Sequence, residues 1–93
     1  MDVSVRDDSE HSRYELSVDG TPVGVAEYVL SGSTIVFPHT VIEPAHRGQG
    51  LAAVLVRAAL DDAREQGRSV VPRCSYVAAF IDEHPEYRRL VAT

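Results

Sequence analysis

The chain has 93 residues, 44% of them hydrophobic, with 9 basic and 14 acidic side chains and a formal charge of −5. That length fits one domain, residues 1–93, with a core burying roughly two-thirds of the unfolded surface and no space for a separate substrate domain. The acidic balance argues against a nucleic-acid partner, and no apolar run approaches the ~20 residues of a membrane span.

Met1 to Asp7 lacks the basic start and apolar core of a signal peptide, so a cytoplasmic protein is expected. Val3 to Arg6 alternates weakly, as a short edge strand would. Arg13 to Asp19 alternates polar and apolar, with Tyr14, Leu16 and Val18 on one face. Asp19-Gly20 followed by Thr21-Pro22 signals a turn. Val23 to Leu30 is the return strand, with Val23, Val25 and Glu27 on one side and Gly24, Ala26 and Tyr28 on the other. After the turn Ser31-Gly32-Ser33, Thr34 to Ile42 is apolar on both faces, which suits a central strand. Pro38 has no N–H to give to a ladder and predicts a bulge or a break in pairing.

Leu51 to Gln66 is amphipathic. Leu51, Val54, Leu55, Ala58 and Ala59 form the apolar stripe, and Arg57, Asp61, Arg64 and Glu65 the charged one. Gly67 stops the helix in a left-handed conformation. Ser69 to Pro72 is a short strand, parallel to its predecessor across a right-handed crossover. Ser75 stands where it would cap a second helix, Tyr76 to Glu83. His84-Pro85 breaks that helix, and Pro85 opens a last turn, Glu86 to Leu90. The expected class is α+β (mixed α/β): ββββ-α-β-α, a mixed sheet with an antiparallel meander and one parallel crossover.

His46-Arg47-Gly48-Gln49-Gly50-Leu51-Ala52 joins the fourth strand to the long helix. Glycines there let the backbone turn sharply with bare N–H groups outward, and the first N–H groups of a helix lack intrahelical partners, so a diphosphate is the natural guest. The absence of lysine rules out a Walker loop, and Ala53 stands where a dinucleotide fingerprint needs its third glycine. Arg47-x-x-Gly50-x-Ala52 instead resembles the Arg/Gln-x-x-Gly-x-Gly/Ala signature of the GCN5-related N-acetyltransferases. His39-Thr40-Val41, Pro72-Arg73-Cys74-Ser75-Tyr76 and His84-Pro85-Glu86-Tyr87 resemble a small branch of that family with roughly hundred-residue members, and the likeness runs from Tyr14 onward. Relative to full-length members, the chain is truncated: it lacks the helices between the first two strands and the last two strands, parts that usually close over the acceptor.

The resemblance implies that acetyl-CoA lies in a splay between the fourth and fifth strands. Its diphosphate would meet Arg47, Gly48, Gln49, Gly50, Leu51 and Ala52, its pantetheine arm Val41 and Ile42, and N–H groups near Val41 would polarise the thioester carbonyl. Tyr76 and Tyr87 fit either the cofactor channel or core packing. Cys74 precedes a helix N-terminus, which lowers a thiol pKa, although a lone cysteine is commonly a small buried hydrophobe. Under the resemblance Cys74 and His39 are the catalytic pair, His39 as general base and Cys74 either protonating the departing thiolate or carrying the acetyl group itself. The expected reaction moves acetyl to a primary amine: a protein lysine, a polyamine or a small molecule.

The alternatives are a non-catalytic module that binds CoA or acyl-CoA, and a thiol hydrolase built on Cys74 and His39, which lacks an asparagine to orient the histidine. A single cysteine excludes an internal disulfide and a multi-cysteine zinc site, and no histidine spacing gives a close ligand pair, so no metal is expected. Glu43 and Arg73 read as a strand exit and a solvated arginine, His11 as solvated, His84 as support for the fold, and His46 as adjoining the turn. An uncovered sheet edge in so small a fold suits a monomer or a weak homodimer.

Overall fold

Turn chemistry sets the order of the sheet. Asp19 and Gly20, both at positive φ (49° and 84°), form the two-residue hairpin between Arg13–Val18 (β2) and Thr21–Ser31 (β3). Gly32, at φ 58°, turns the chain into Thr34–Ile42 (β4). The computed structural model describes residues 1–92, and adds Val3–Asp8 (β1), Leu51–Glu65 (α1), Ser69–Val71 (β5) and Ser75–Glu83 (α2). Short 3-10 turns occupy Ser9–His11, Pro44–His46 and Pro85–Leu90. The sheet runs β1-β2-β3-β4-β5, antiparallel except for the parallel pair β4–β5. This is the ββββ-α-β-α layout expected from the sequence.

Pro38 produces the expected bulge. Glu27 pairs with His39 and Val29 with Val36, so β4 spends one residue more than β3 across this interval. A second irregularity was not legible. Leu16 pairs with Gly24 and Ser17 with Pro22, which leaves Val23 as an extra residue. Val23 is therefore buried, at 2% exposure, rather than sharing the outward side with Val25 and Glu27.

Both helices cover one face of the sheet. Leu55, Val56, Ala59 and Leu60 of α1 and Val77 and Phe80 of α2 join Tyr14, Leu16, Ala26, Ile35 and Phe37 in a single core. Each large apolar side chain buried there contributes about 1.5–3 kcal/mol. The stripe of α1 is rotated from the expected one. Val56, Leu60 and Ala63 face the core, whereas Val54 is 45% exposed and Ala58 only half-buried. The helix leans on the broad sheet with its 51-55-59-63 and 56-60 rows, which turns Val54 outward. Gly67, at φ 70°, ends α1 as expected: Arg68 N–H bonds Ala63 O at 2.9 Å and Gly67 N–H bonds Arg64 O at 3.1 Å.

Phenols tie the layers together. Tyr14 donates to Asp62 at 2.5 Å and Tyr87 to Asp61 at 2.7 Å, both on α1. Tyr28 donates to Asp7 of β1 at 2.6 Å, and burial with this carboxylate pushes its pKa up to about 12. The opposite face of the sheet carries Val25, Glu27, His39 and Val41 without a helix over them, and Val41 is 51% exposed. Among the described residues no helix is long and apolar enough to cross a membrane.

Candidate active site

Two prolines open the site. β4 and β5 pair only over Thr34–Val36 and Ser69–Val71. Beyond that, Pro38 bulges one strand and Pro72, which has no N–H, ends the other. A last tie remains, Cys74 N–H to Phe37 O at 2.8 Å, and past it the strands diverge.

Ladder parity decides which groups face this splay. Glu43 N–H bonds Val23 O at 2.8 Å, so the backbone groups of Val41 and His39, two and four residues back, also point toward β3. Those of Thr40 and Ile42 point the other way, into the splay. Ile42 O there accepts from Arg47 Nε at 3.1 Å, which holds the guanidinium across the strand end. The N–H of Val41, the residue singled out from the sequence, thus belongs to the sheet. Of the N–H groups on either side of it, that of Thr40 faces the Cys74 sulfur and that of Ile42 faces the open splay.

The Cys74 sulfur sits in the splay, 3.6 Å from Thr40 Oγ1. Burial alone would raise its pKa. The N–H of Val77, the Thr40 hydroxyl and the N–H groups of Tyr76 and Thr40 outweigh this and hold the thiol below its ordinary value. The helix begins one residue earlier than expected. Ser75 is already helical and Cys74 occupies the cap position, so the first turn of α2 faces sulfur rather than a serine hydroxyl. His39 is exposed and stands opposite Glu27 on β3. Neighbouring strand residues present opposite faces, so His39 and Thr40 flank the splay from its two sides, and no hydrogen bond joins His39 to Cys74 among the described residues.

The glycine turn lies at the same end of the sheet. Gly48 and Gly50 take φ 81° and 74°, and a Cβ built on either meets no atom within 4 Å. The glycines are therefore required by conformation, and the space over the turn is open. Gly50 caps α1 without a side-chain hydrogen bond, and the first helical bond runs from Val54 N–H to Gly50 O at 3.3 Å. The N–H groups of Leu51, Ala52 and Ala53 have no partner within the helix. A cleft of about 240 Å³ follows the turn. It is lined by Ile42, Arg47, Gly48, Gly50, Leu51, Ala52 and Tyr76, with His46 beside them. Val41 and Gln49 lie outside this lining.

Tyr87 is core, 2% exposed, and takes a hydrogen bond from Arg57 at 3.0 Å besides the one it gives Asp61. His84 supports the fold, bonding Phe80 O through Nδ1 at 2.7 Å and stacking on the Phe80 ring at 4.0 Å. Arg73 is exposed, and His11 pairs with Asp8 at 2.9 Å. Thr40 went unremarked as a site residue. Its signal was its position one residue from His39, just beyond a proline bulge, where the strand must turn one edge outward.

A thiol and a strand edge in a splayed parallel pair, with an open glycine turn at the head of the next helix, define a class of α+β proteins suited to a long phosphorylated ligand lying across the sheet end. Known proteins make the class specific. Residues 13–90 match the family model described as GCN5-related N-acetyl-transferase. Protein NATD1 of Danio rerio is 30% identical over 96 residues, covering 94% of this chain and 86% of that protein. The solution structure of a GCN5-like putative N-acetyltransferase from Staphylococcus aureus superposes with a TM-score of 0.72 at 16% identity, over 96% of this chain and 87% of that one. N-acetylglutamate synthase from Neisseria gonorrhoeae, complexed with coenzyme A and N-acetyl-glutamate, superposes with a TM-score of 0.63 at 19% identity, over 81% of this chain and 19% of the synthase. The chain belongs to the GCN5-related N-acetyltransferase family, whose general chemistry is acetyl transfer.

Proposed function

We propose that this protein transfers acetyl from acetyl-CoA to a primary amine. The observation that carries the reading is the adjacency, at one end of the sheet, of an unpacked glycine turn, a strand edge facing a splay and a thiol held in that splay. The turn and the first N–H groups of α1 suit a diphosphate. Thr40 C=O and Ile42 N–H suit the amides of a pantetheine arm, as an added strand would. The coenzyme A bound by the gonococcal synthase supports this ligand class.

In this reading the Cys74 thiolate attacks the thioester carbon. The bond from carbon to the coenzyme's sulfur breaks, coenzyme A leaves as its thiolate, and acetyl rests on Sγ. The acceptor enters from the His39 side and gives its ammonium proton to the imidazole. The free amine attacks the acetyl carbon, the carbon–Sγ bond breaks, the second proton of the nitrogen passes to water, and Cys74 returns to its thiolate while the amide leaves neutral. The donors that lower the thiol pKa, Val77 N–H and the hydroxyl and N–H of Thr40 among them, also make it a good leaving group.

The test is calorimetric titration with coenzyme A beside an assay of thiol release over a panel of amines, for the wild type and Cys74→Ala. Coenzyme A binding, amine-dependent release, its loss in Cys74→Ala and one acetyl group trapped on Cys74 without amine are expected. Undiminished turnover in Cys74→Ala replaces the relay by direct attack of amine on the thioester. Binding without release from any amine makes the protein a CoA-binding module, and no binding at all removes the assignment.

A further inference from the structure

We infer that His46 is a second contact for the cofactor's diphosphate, made when its ring takes up a proton on binding, with Glu43 as the carboxylate that positions the ring. The inference rests on the transferase reading and adds a proton to its binding step. The 3-10 turn Pro44–His46 supplies the geometry. His46 N–H bonds Glu43 O at 2.9 Å. Side chains three residues apart in such a turn eclipse one another, which sets the imidazole over the Glu43 carboxylate. Nδ1 lies 3.8 Å from Glu43 Oε2.

That nitrogen is buried and has no hydrogen-bond partner. A sealed polar atom without a partner is destabilising. Protonation removes the defect, because Nδ1–H then donates to Glu43 once the pair closes to about 2.8 Å, the length of a charge-assisted bond. The side chain is 31% exposed. With Nδ1 sealed, the open edge of the ring is the Nε2 edge, and His46 lines the cleft beside Arg47 and Gly48.

The charges around the cleft require a second cation there. A diphosphate esterified at both ends stays doubly negative near neutral pH. Arg47 is the only side chain of the lining with a fixed positive charge, and its Nε is committed to Ile42 O at 3.1 Å. From α1 the cleft receives Leu51 and Ala52, which do not titrate. From α2 it receives Tyr76, whose phenol is held above its ordinary pKa by burial and by Glu83, and so stays neutral. Glu43 stands behind the imidazole, outside the cleft lining. Of the charged groups at the ring, Glu43 attracts a proton to it and Arg47 repels one. A diphosphate in the cleft joins Glu43 and outweighs Arg47. The imidazolium, its extra proton taken from solvent, then bridges two anions, with Nδ1–H on Glu43 and Nε2–H on a phosphate oxygen. A ring protonated more readily in the complex than in the free protein makes binding tighter at low pH. That advantage is lost as pH rises through the titration of the complexed ring.

Dephospho-coenzyme A is the probe, because it keeps the diphosphate and lacks the 3′-phosphate monoester, which itself titrates near about pH 6. Calorimetric titrations at about pH 7 in buffers of different ionisation enthalpy read the protons taken up, and titrations at about pH 6 and pH 8 read the affinity. Wild type should take up a fraction of a proton and bind about tenfold more tightly at the lower pH, the worth of one charge-assisted contact. His46→Gln should lose both effects and Glu43→Gln should shrink them. Cys74→Ala, which removes the thiol of the adjoining splay, should keep them. His46→Arg, a fixed cation, should bind equally at both pH values without proton uptake. One readout needs no variant: the His46 ring Cε1–H resonance of the wild type should titrate at higher pH in protein saturated with the probe. Equal wild-type affinity at the two pH values, uptake undiminished in His46→Gln or Glu43→Gln, or a ring midpoint unmoved by the probe overturns the pair and leaves the cofactor site and the transferase standing. No binding of coenzyme A or its dephospho form at either pH removes both.

Discussion

At the scale of single residues, the site turns on Thr40. It gives Cys74 a hydroxyl contact and a backbone N–H, whereas the adjacent His39 looks away toward Glu27. Replacing the hydroxyl by a methyl in Thr40→Val removes one of the groups that hold the thiolate. The midpoint of the Cys74 alkylation rate against pH should move upward, while Thr40→Ser should leave it close to the wild type. Iodoacetamide labelling across pH 6–10 measures this, spanning the ordinary thiol range of about 8.5. The N–H groups of Val77 and Tyr76 survive both substitutions, so the shift is upward but partial. An unmoved midpoint in Thr40→Val would assign the low thiol pKa to the backbone N–H groups of Val77, Tyr76 and Thr40.

The elements matter through their ends. β4 is ordinary strand until Pro38, and α1 is ordinary helix after Leu51. The proposed site gathers where the first loses its neighbour and the second has not yet satisfied its N–H groups. Gly50 makes the junction by taking φ 74°, which for any side chain but glycine costs about 1–2 kcal/mol. No atom lies within 4 Å of its missing Cβ, so the cost of Gly50→Ala is conformational rather than steric. That variant should lose about 1 kcal/mol in urea unfolding and bind coenzyme A more weakly. Gly50→Asn, which tolerates the left-handed region better, should recover part of both. Equal stability and equal titration curves for Gly50→Ala and wild type would show that the turn can be made without a glycine.

For the whole molecule, one face is packed and the other ionic. On the ionic face Asp8 of β1 collects Arg6, Arg13 and His11. Burial raises its pKa, but the His11 hydrogen bond and the three positive neighbours hold it below the usual carboxylate value. A carboxylate whose folded pKa is depressed adds stability that is complete above its unfolded value, about 3.9, and that is lost as pH falls through the folded one. Wild type should therefore exceed Asp8→Asn in Tm at pH 5–6, with the gap closing as pH drops below about 4. Melting curves at constant ionic strength check this. A gap that persists at pH 2–3 would mean that Asn fails for reasons other than charge. At the two edges of the sheet the molecule is also unequal. The Val70–Val91 bridge and an Ala92 N–H to Val70 O bond of 2.9 Å cover β5, whereas β1 has β2 on one side only.

Much of this was legible in the chain because it depends on local rules. Asp19-Gly20 specifies a hairpin turn by its left-handed conformations, Pro38 a bulge by its missing N–H, Gly67 a helix stop, and Gly48-x-Gly50 a turn that leaves N–H groups bare. Period-two and period-3.6 patterns fixed the order of strands and helices. What depends on distant partners was not legible. Val54 and Leu60 are equally apolar, and only the lean of α1 on the sheet decided that the first faces outward and the second inward. Val41 and Thr40 are adjacent in the chain, and only the pairing of β4 with β3 decided which of their amides faces the splay. Tyr87 became core because Asp61, a full helix away in sequence, stands ready to take its proton donor. Local conformation is a property of a few neighbouring residues, whereas burial and hydrogen-bond direction belong to surfaces that meet only when the chain has closed.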